Sequence, residues 1–159
     1  MEINLTQGKV ALVNDEDYEE INRYKWYAVK KPHSFYAVRM SPRIQGERDT
    51  VWMHRAILGI GGGLDVDHID RDGLNNTREN LRVATRSQNR ANLISKCGSS
   101  KYKGVYWRNR GNRWEAQIGF NGDRLFLGSF SDEADAALRY NEAAIQLFGE
   151  FARINAIEV

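Results

Sequence analysis

The sequence predicts an α+β protein with two domains. In the first part, short runs of apolar and β-branched residues alternate with polar turns and short helical segments. In the second part, three strand-like runs follow one another and lead into one long amphipathic helix. The small, polar segment KCGSSK separates the two parts. We therefore predict a first domain over residues 1–95, a linker over 96–101 and a second domain over 102–159.

The elements at the start of the first domain are short. KVALVN is typical of a strand, and DEDYEEI, with acidic residues in its first turn, indicates one or two helical turns. WYAVK and FYAVRM flank a turn-like tetrapeptide and predict a hairpin. TVWMHRAILG predicts a strand that runs into a helix, and the glycines after it end that helix.

A polar loop follows and is flanked by two strand-like runs. The first run is DVDHID and the second is LRVAT, with an asparagine-rich segment between them. Thr85 and Gln88 have the spacing of a capping box, in which each side chain bonds a free backbone N–H of the other. We therefore expect a helix over about residues 86–94.

The second domain is the more regular of the two. YKGVYWR, RWEAQIGF and RLFLGSF predict three antiparallel strands joined by tight turns. Ser131 is suited to cap a helix that runs through Phe148, and a glycine follows its end. Six helix residues form an apolar stripe that we expect to pack on the sheet: Ala134, Ala137, Leu138, Ala144, Ile145 and Phe148.

A helix on one face of this sheet leaves the other face free. Strand side chains alternate between the two faces, and Trp114, Ala116 and Ile118 share the face toward the helix. The free face is predicted to carry Tyr106, Arg108, Arg113, Gln117, Arg124 and Phe126.

The composition excludes several classes of protein. The chain has 159 residues and is 42% hydrophobic, enough to bury a core. No apolar run approaches the length of a membrane span, and MEINLTQGKV lacks the regions of a signal peptide. With one cysteine, Cys97, neither an internal disulfide nor a Cys-ligated zinc site can form. We expect a reduced, cytoplasmic protein with no membrane partner.

The charge distribution points to a polyanionic partner. Residues 71–130 contain 12 Lys and Arg against four Asp and Glu, whereas the segments on either side are net acidic. Tyrosine, tryptophan and asparagine are interspersed with these basic residues. This is the electrostatic pattern expected of a nucleic-acid-binding surface.

The Asp67-His68 pair suits the hydrolysis of a phosphodiester. A histidine can take the proton of an attacking water near neutral pH. A carboxylate can hold a hard divalent cation that neutralises charge on the phosphate and the leaving oxygen. An asparagine carbonyl can fix the tautomer of the histidine. Asn80 and Asn89 follow His68 by twelve and twenty-one positions.

These segments resemble a known family. VWMHRAILG, DVDHID and LNNTRENLRVATRSQNRAN are similar to the HNH nucleases, specifically their phage and intron-encoded homing-endonuclease branch. The resemblance covers about residues 50–93 and implies a ββα-metal finger, in which two strands and a helix surround one divalent ion. The core of this finger is expected at about residues 64–94.

The resemblance also implies a role for each matched residue. His68 corresponds to the general base, and Asn80 to the residue that orients it. Asp67 and Asn89 correspond to the two metal ligands. Some members have a histidine where this chain has Asn89, so the ligands here are of the oxygen type.

The expected cofactor is Mg²⁺ or Mn²⁺, with no structural zinc, because many HNH nucleases brace the finger with cysteine-bound zinc and one cysteine excludes that here. Asn75 and Asn76 are interpreted as turn formers. The candidate phosphate contacts are His54, Arg82 and Arg86.

The second domain resembles the plant ethylene-response-factor (APETALA-type) DNA-binding domain. The similarity lies in YKGVYWR, WEAQI, LGSF, the alanine pairs of the helix and the late Asn155. It implies that the helix-free face of the sheet enters the major groove. The candidate DNA-binding residues are Lys103, Tyr106, Arg108, Arg110, Arg113, Gln117, Arg124 and Phe126. Several of them differ from the plant residues, so the binding mode is expected to transfer and the plant target sequence is not.

Together these features predict a metal-dependent DNA endonuclease of the homing type that nicks double-stranded DNA or cuts both strands. One finger per chain fits a monomer or a weak dimer in a phage or bacterial host cell. The alternative is a DNA-binding regulator with a catalytically inactive HNH half. A structural or RNA-directed role stays open as well, since polyanion binding does not separate DNA from RNA.

Overall fold

The computed structural model describes residues 1–93 and 99–157 and is a mixed α/β protein with several small sheets and four α-helices in that part of the chain. It divides into two compact units, Met1–Ala84 and Thr85–Val159. Residues 96–98 of the predicted linker, and Ile94 at the predicted end of the finger helix, lie outside the described residues. No helix of the described chain is long and apolar enough to cross a membrane.

The first unit contains two α-helices and seven strands, and the strands form three small antiparallel sheets. The sheets pair β1 with β2, β3 with β4 and β5, and β6 with β7. The elements are β1 Glu2–Asn4, β2 Val10–Leu12, α1 Asp15–Ile21, β3 Tyr27–Lys30, β4 Phe35–Met40, β5 Thr50–Trp52, α2 Met53–Leu58, β6 Asp65–His68 and β7 Leu81–Ala84. The predicted short helix, the predicted hairpin and the predicted strand that runs into a helix are confirmed in α1, β3–β4 and β5–α2.

One apolar core holds these elements together. It is centred on the fully buried Met53 of α2 and Val13, and Trp26 closes it by donating its indole N–H to the Ile21 carbonyl at 2.8 Å. Arg78, in the loop before β7, forms a two-bond fork to Asp17 of α1 at 2.6 and 2.9 Å. The loop between β6 and β7 is thereby fixed to the rest of the unit.

The second unit is a three-stranded antiparallel sheet with helices. Its elements are α3 Arg86–Asn92, β8 Val105–Arg108, β9 Arg113–Phe120, β10 Asp123–Phe130 and α4 Glu133–Phe148, with β9 in the middle of the sheet. The predicted capping box at the start of α3 is confirmed, since the Gln88 backbone N–H donates to the Thr85 hydroxyl and the Thr85 N–H to the Gln88 side chain. The residue that caps α4 is Asp132, and not Ser131 as predicted, because Asp132 accepts from the N–H of Ala134 at 2.7 Å.

The buried face of α4 also differs from the predicted stripe. Leu138 and Ile145 are 50% and 56% exposed, and the helix instead buries a face of small residues and two aromatic rings: Ala136, Ala137, Tyr140, Ala143, Ala144 and Phe148. Small side chains let the helix approach the sheet closely. A Cβ atom at Gly104, where φ is +76°, would overlap the Tyr140 ring and lie 2.6 Å from the Gln117 carbonyl. The glycine of YKGV is therefore required by this close approach.

Candidate active site and nucleic-acid interface

The β6–β7 hairpin places the candidate catalytic residues. Its register sets Asp67 opposite Arg82 and His68 opposite Leu81. Asp67 and His68 are 4% and 5% exposed, unusual burial for ionisable side chains in a short, otherwise polar segment. Such groups stay buried only when their hydrogen bonds and charges are satisfied.

Asp67 is paired with the residue directly across the hairpin. The Arg82 guanidinium donates to Oδ2 of Asp67 from Nη2 at 2.7 Å and from Nε at 2.8 Å. Arg82, a candidate phosphate contact from the sequence, therefore neutralises the buried carboxylate.

The His68 ring faces Asn76. Oδ1 of Asn76 lies 3.4 Å from Nε2 of His68 and the residue is fully buried. The Asn76 amide is fixed in this orientation because its Nδ2 donates to the Leu74 carbonyl at 3.0 Å. An amide oxygen can only accept, so this contact favours the tautomer of neutral His68 that carries its proton on Nε2. Asn76, interpreted from the sequence as a turn former, is thus the residue whose side-chain amide faces the His68 ring.

Asn80 forms hydrogen bonds with residues of the β6–β7 loop. Its Oδ1 accepts from the Asp70 N–H at 3.0 Å, and its Nδ2 donates to the Asp70 carboxylate at 2.9 Å and to the Asn75 carbonyl at 2.8 Å. The expected hydrogen bond from Asn80 to His68 is therefore replaced by bonds that close the β6–β7 loop at its base. Asn75 has the predicted turn role, since its Oδ1 accepts from the backbone N–H and the hydroxyl of Thr77.

A cluster of aromatic rings surrounds His68. The His54 ring centroid lies 5.0 Å from that of His68 and 5.8 Å from that of Trp52, and the Tyr36 ring lies 5.7 Å from His68. Burial lowers the pKa of His54 to about 3, with the neighbouring His68 and then Arg55 as further causes. Nδ1 of His54 is buried and has no hydrogen-bond partner among the described residues. His54 is therefore a neutral packing partner of His68 at ordinary pH.

Burial also lowers the pKa of the His68 imidazole, against the opposing effects of the Asn76 hydrogen bond and the nearby carboxylates, of which Asp70 is the strongest. The neutral ring is favoured as a result. A neutral imidazole is the form that can accept a proton.

Asn89 and Arg86 lie in α3, which belongs to the second unit. The Asn89 backbone N–H donates to the Thr85 carbonyl at 2.9 Å in the first turn of that helix. Among the described residues, no group of three or more His, Cys, Asp or Glu side chains is placed to hold a metal ion.

The free face of the second unit's sheet is polar, as the strand alternation predicts. Ala116 and Ile118 of β9 are buried, while the residues between them in sequence point to the other side. On that side Glu115, which is not among the predicted DNA-binding residues, accepts from Nε of Arg108 at 2.8 Å and from the Gln117 amide at 3.2 Å. Phe126 is 61% exposed. Glu115 could have been found from its position between Arg113 and Gln117 on the same strand.

Lys103 lies away from this face. Its amine donates to the carbonyls of Ala91 and Leu93 at the end of α3, the latter at 2.8 Å. Burial lowers the pKa of the Lys103 amine to about 8. Its backbone is held by the Asn155 side chain through bonds of 2.7 and 3.1 Å. The expectation that Lys103 contacts DNA is thus replaced by a structural role in closing the last turn of α3.

Comparison with known proteins gives two sets of similarities. Residues 51–91 match the family model of HNH endonucleases. The chain is 35% identical over 160 residues to an uncharacterized HNH endonuclease of Acanthamoeba polyphaga mimivirus, covering 96% of this chain and 78% of that protein.

The second set consists of plant proteins. The chain is 44% identical over 64 residues to the dehydration-responsive element-binding protein 2C of Arabidopsis thaliana, and 40% identical over 62 residues to an AP2-like ethylene-responsive transcription factor of the same plant. These matches cover 39% and 38% of this chain but only 18% and 17% of the plant proteins.

Proposed function

Because the chain belongs to the HNH endonucleases, we propose that the β6–β7 hairpin hydrolyses a phosphodiester bond of DNA with His68 as the general base. The observation that carries this proposal is the fixed His68 ring, whose Nε2 faces the Asn76 carbonyl oxygen at 3.4 Å. The other nitrogen, Nδ1, is the atom that takes the proton of the attacking water. The water oxygen bonds to phosphorus, the bond from phosphorus to the 3′ oxygen breaks, and the leaving oxygen takes up a proton.

The ligand types that the sequence resemblance implies are those that a hard divalent ion prefers. Asp67 offers a carboxylate beside His68, and the sequence resemblance adds the amide oxygen of Asn89, which gives a donor set of oxygen atoms. Mg²⁺ or Mn²⁺, when bound, would neutralise the negative charge that develops on the phosphate and the leaving oxygen. Arg82 holds the Asp67 carboxylate in place, because it donates two hydrogen bonds to one of its oxygens.

The sheet of the second unit is proposed to bind double-stranded DNA through its helix-free face. Arg108 uses Nε to bond Glu115, and its two terminal nitrogens have no partner among the described residues. That pair of donors is suited to O6 and N7 of guanine, and the amide of Gln117 to an adenine edge. Arg110, in the turn before β9, and Arg113, at the start of that strand, are exposed and suited to phosphates. The likeness to plant transcription factors supports this part of the proposal.

Targeted cutting by one finger and one DNA-reading sheet corresponds to a homing-type endonuclease. A monomer with a single finger would nick one strand, and a weak dimer or two successive nicks would cut both. The competing function, a DNA-binding regulator, predicts sequence-specific binding with no strand cleavage.

The test of the enzyme is a cleavage assay with supercoiled plasmid in the presence of Mg²⁺ or Mn²⁺. We expect nicked or linear product that disappears with EDTA. His68→Ala should lower the rate ~10²–10⁴-fold, the usual contribution of a general base, while DNA binding is retained. His33→Ala, a change in an exposed turn of the β3–β4 hairpin, is the matched control and should cleave normally. Normal cleavage by His68→Ala would refute the assignment.

The test of the sheet is DNA binding as a function of salt. Arg108→Ala and Arg124→Ala should weaken binding and lower the slope of log K against log salt by ~0.9 for each phosphate that is no longer bound. Arg108→Ala should also relax sequence preference if the residue reads a base. Arg43→Ala, an exposed arginine of the first unit, removes the same charge as a control. Equal dependence of log K on log salt for Arg108→Ala, Arg124→Ala and Arg43→Ala would rule out DNA binding by this face.

A further inference from the structure

We propose that a cleft within the second unit, between α3 and the edge of β9, binds the sugar–phosphate backbone of a nucleic-acid strand. This site borders the DNA-reading face of the sheet and shares Tyr106, Gln117 and Arg124 with it. The inference rests on the proposed function, because it extends the DNA contact of the same protein. The family resemblances name Arg86 as a candidate phosphate contact and Arg124 as a DNA-binding residue, but they include neither Arg90 nor the cleft that the three arginines share.

The cleft exists because β8 is shorter than β9. Val105 to Arg108 pair only with residues 113–116, so the second half of β9 extends beyond the start of β8. The chain before β8 and the helix α3 occupy this space. The Gln117 N–H donates to the Gly104 carbonyl at 2.8 Å, and the Asn121 N–H donates to the Ser87 hydroxyl at 3.1 Å. Between them remains a cavity of about 640 Å³.

Three arginines line this cavity without an ionic partner. Arg86, Arg90 and Arg124 are exposed, and their guanidinium groups form no hydrogen bond or ion pair within the part of the chain that the structure describes. The acidic residue that lines the cavity, Asp123, leaves most of this charge unbalanced. The fourth cation, Lys103, gives its hydrogen bonds to the end of α3.

Two of these arginines are placed so that they destabilise α3 when no anion is bound. Arg86 and Arg90 are four positions apart on α3, so their side chains lie on the same face, and like charges at that spacing repel. A phosphate between them would turn this repulsion into two charge-assisted contacts. Planar guanidinium groups can each bond a phosphate through two parallel N–H groups.

The volume of the cavity and the tyrosine ring in its wall favour a nucleic-acid strand over a single phosphate ion. A cavity of this volume is several times larger than one phosphate requires and lies within the range of small-molecule sites. Half-buried Tyr106 lines its wall and offers a ring on which a base or sugar can pack. Arg90 also directly follows Asn89, so a strand held here would run beside the helix that carries the predicted metal ligand.

The test uses the full-length protein and two labelled DNAs, a 12-nucleotide oligothymidine and a 20-base-pair duplex, followed by fluorescence anisotropy across a KCl series. Arg90→Ala should weaken binding of at least one of them ~10-fold, the effect of losing a hydrogen bond to a charged group. It should also lower the log–log salt slope by ~0.7 for the single strand or ~0.9 for the duplex. Arg90→Lys, which keeps the charge, should recover most of the slope.

Arg43→Ala serves as the charge-matched control and should leave both DNAs bound as in the parent protein. If Arg90→Ala weakens binding of the oligothymidine alone, the cleft binds an unpaired strand. If it weakens binding of the duplex, the cleft binds the duplex that flanks the sheet. The inference is overturned if Arg90→Ala and Arg43→Ala behave alike with both DNAs. Arg108→Ala separates this result from the proposed function, because its effect on the duplex reports on the sheet face alone.

Discussion

Replacing Asn76 by leucine should slow cleavage without weakening DNA binding. Leucine has the same branching as asparagine, although it is larger, and it keeps the backbone N–H that donates to the Leu12 carbonyl at 2.8 Å. It removes the acceptor for Nε2 of His68 and the donor for the Leu74 carbonyl. The His68 ring then loses the Asn76 oxygen that faces its Nε2.

The size of the effect follows from the geometry. At 3.4 Å the distance between Asn76 Oδ1 and His68 Nε2 is longer than in an ordinary hydrogen bond, so the bond itself contributes little. Most of the cost comes from the buried Nε2–H, because a buried donor that loses its acceptor costs ~1–3 kcal/mol. We therefore expect kcat to fall ~10- to 100-fold with KM unchanged, a smaller loss than that of His68→Ala.

Single-turnover cleavage at saturating DNA measures this loss directly. Asn76→Asp retains an oxygen acceptor at the same place and should cleave faster than Asn76→Leu. In the His68→Ala background, Asn76→Leu should have no further effect, because there is no ring left to orient. Wild-type kcat in Asn76→Leu, or an equal loss in the leucine and aspartate variants, would show that Asn76 only fills space.

Three further predictions concern single side chains. The folded-state pKa of His54, about 3, lies below the unfolded value of 6.5, so the unfolded chain binds the extra proton and stability falls as pH drops from 6.5 to 3. His54→Phe should lose less stability between pH 7 and pH 4, by ~3 kcal/mol in urea unfolding; equal losses would contradict the burial argument. Glu115→Ala frees Arg108 and removes a negative charge from the sheet face, so competition binding should show tighter and less selective DNA binding; weaker binding would refute this. Gly104→Ala should lower the thermal midpoint much more than Gly111→Ala, because both glycines have positive φ but only the first has atoms in the way; equal shifts would leave backbone strain as the whole effect.

Local signals in the sequence predicted the elements well, and side-chain packing explains where prediction failed. The box of Thr85 and Gln88 fixes the start of α3 because both hydrogen bonds are made within four residues. The buried face of α4 depends instead on the surface that the helix meets. Hydrophobicity favours Leu138 and Ile145, but only alanines permit the approach to β9 that Tyr140 and Gly104 require.

The same distinction explains the roles of the two asparagines near His68. The hairpin register places Leu81 opposite His68, and Asn80 lies just before the strand, in a 3-10 turn, where its side chain bonds Asp70 and the Asn75 carbonyl. The register also makes Arg82 the cross-strand partner of Asp67, which no spacing motif includes. Asn76 reaches the histidine because the loop folds back, with its backbone bonded to the Leu12 carbonyl. The orientation of His68 is therefore determined by the loop and by the β1–β2 hairpin beneath it, so substitutions at this contact should affect cleavage although they lie outside the motif.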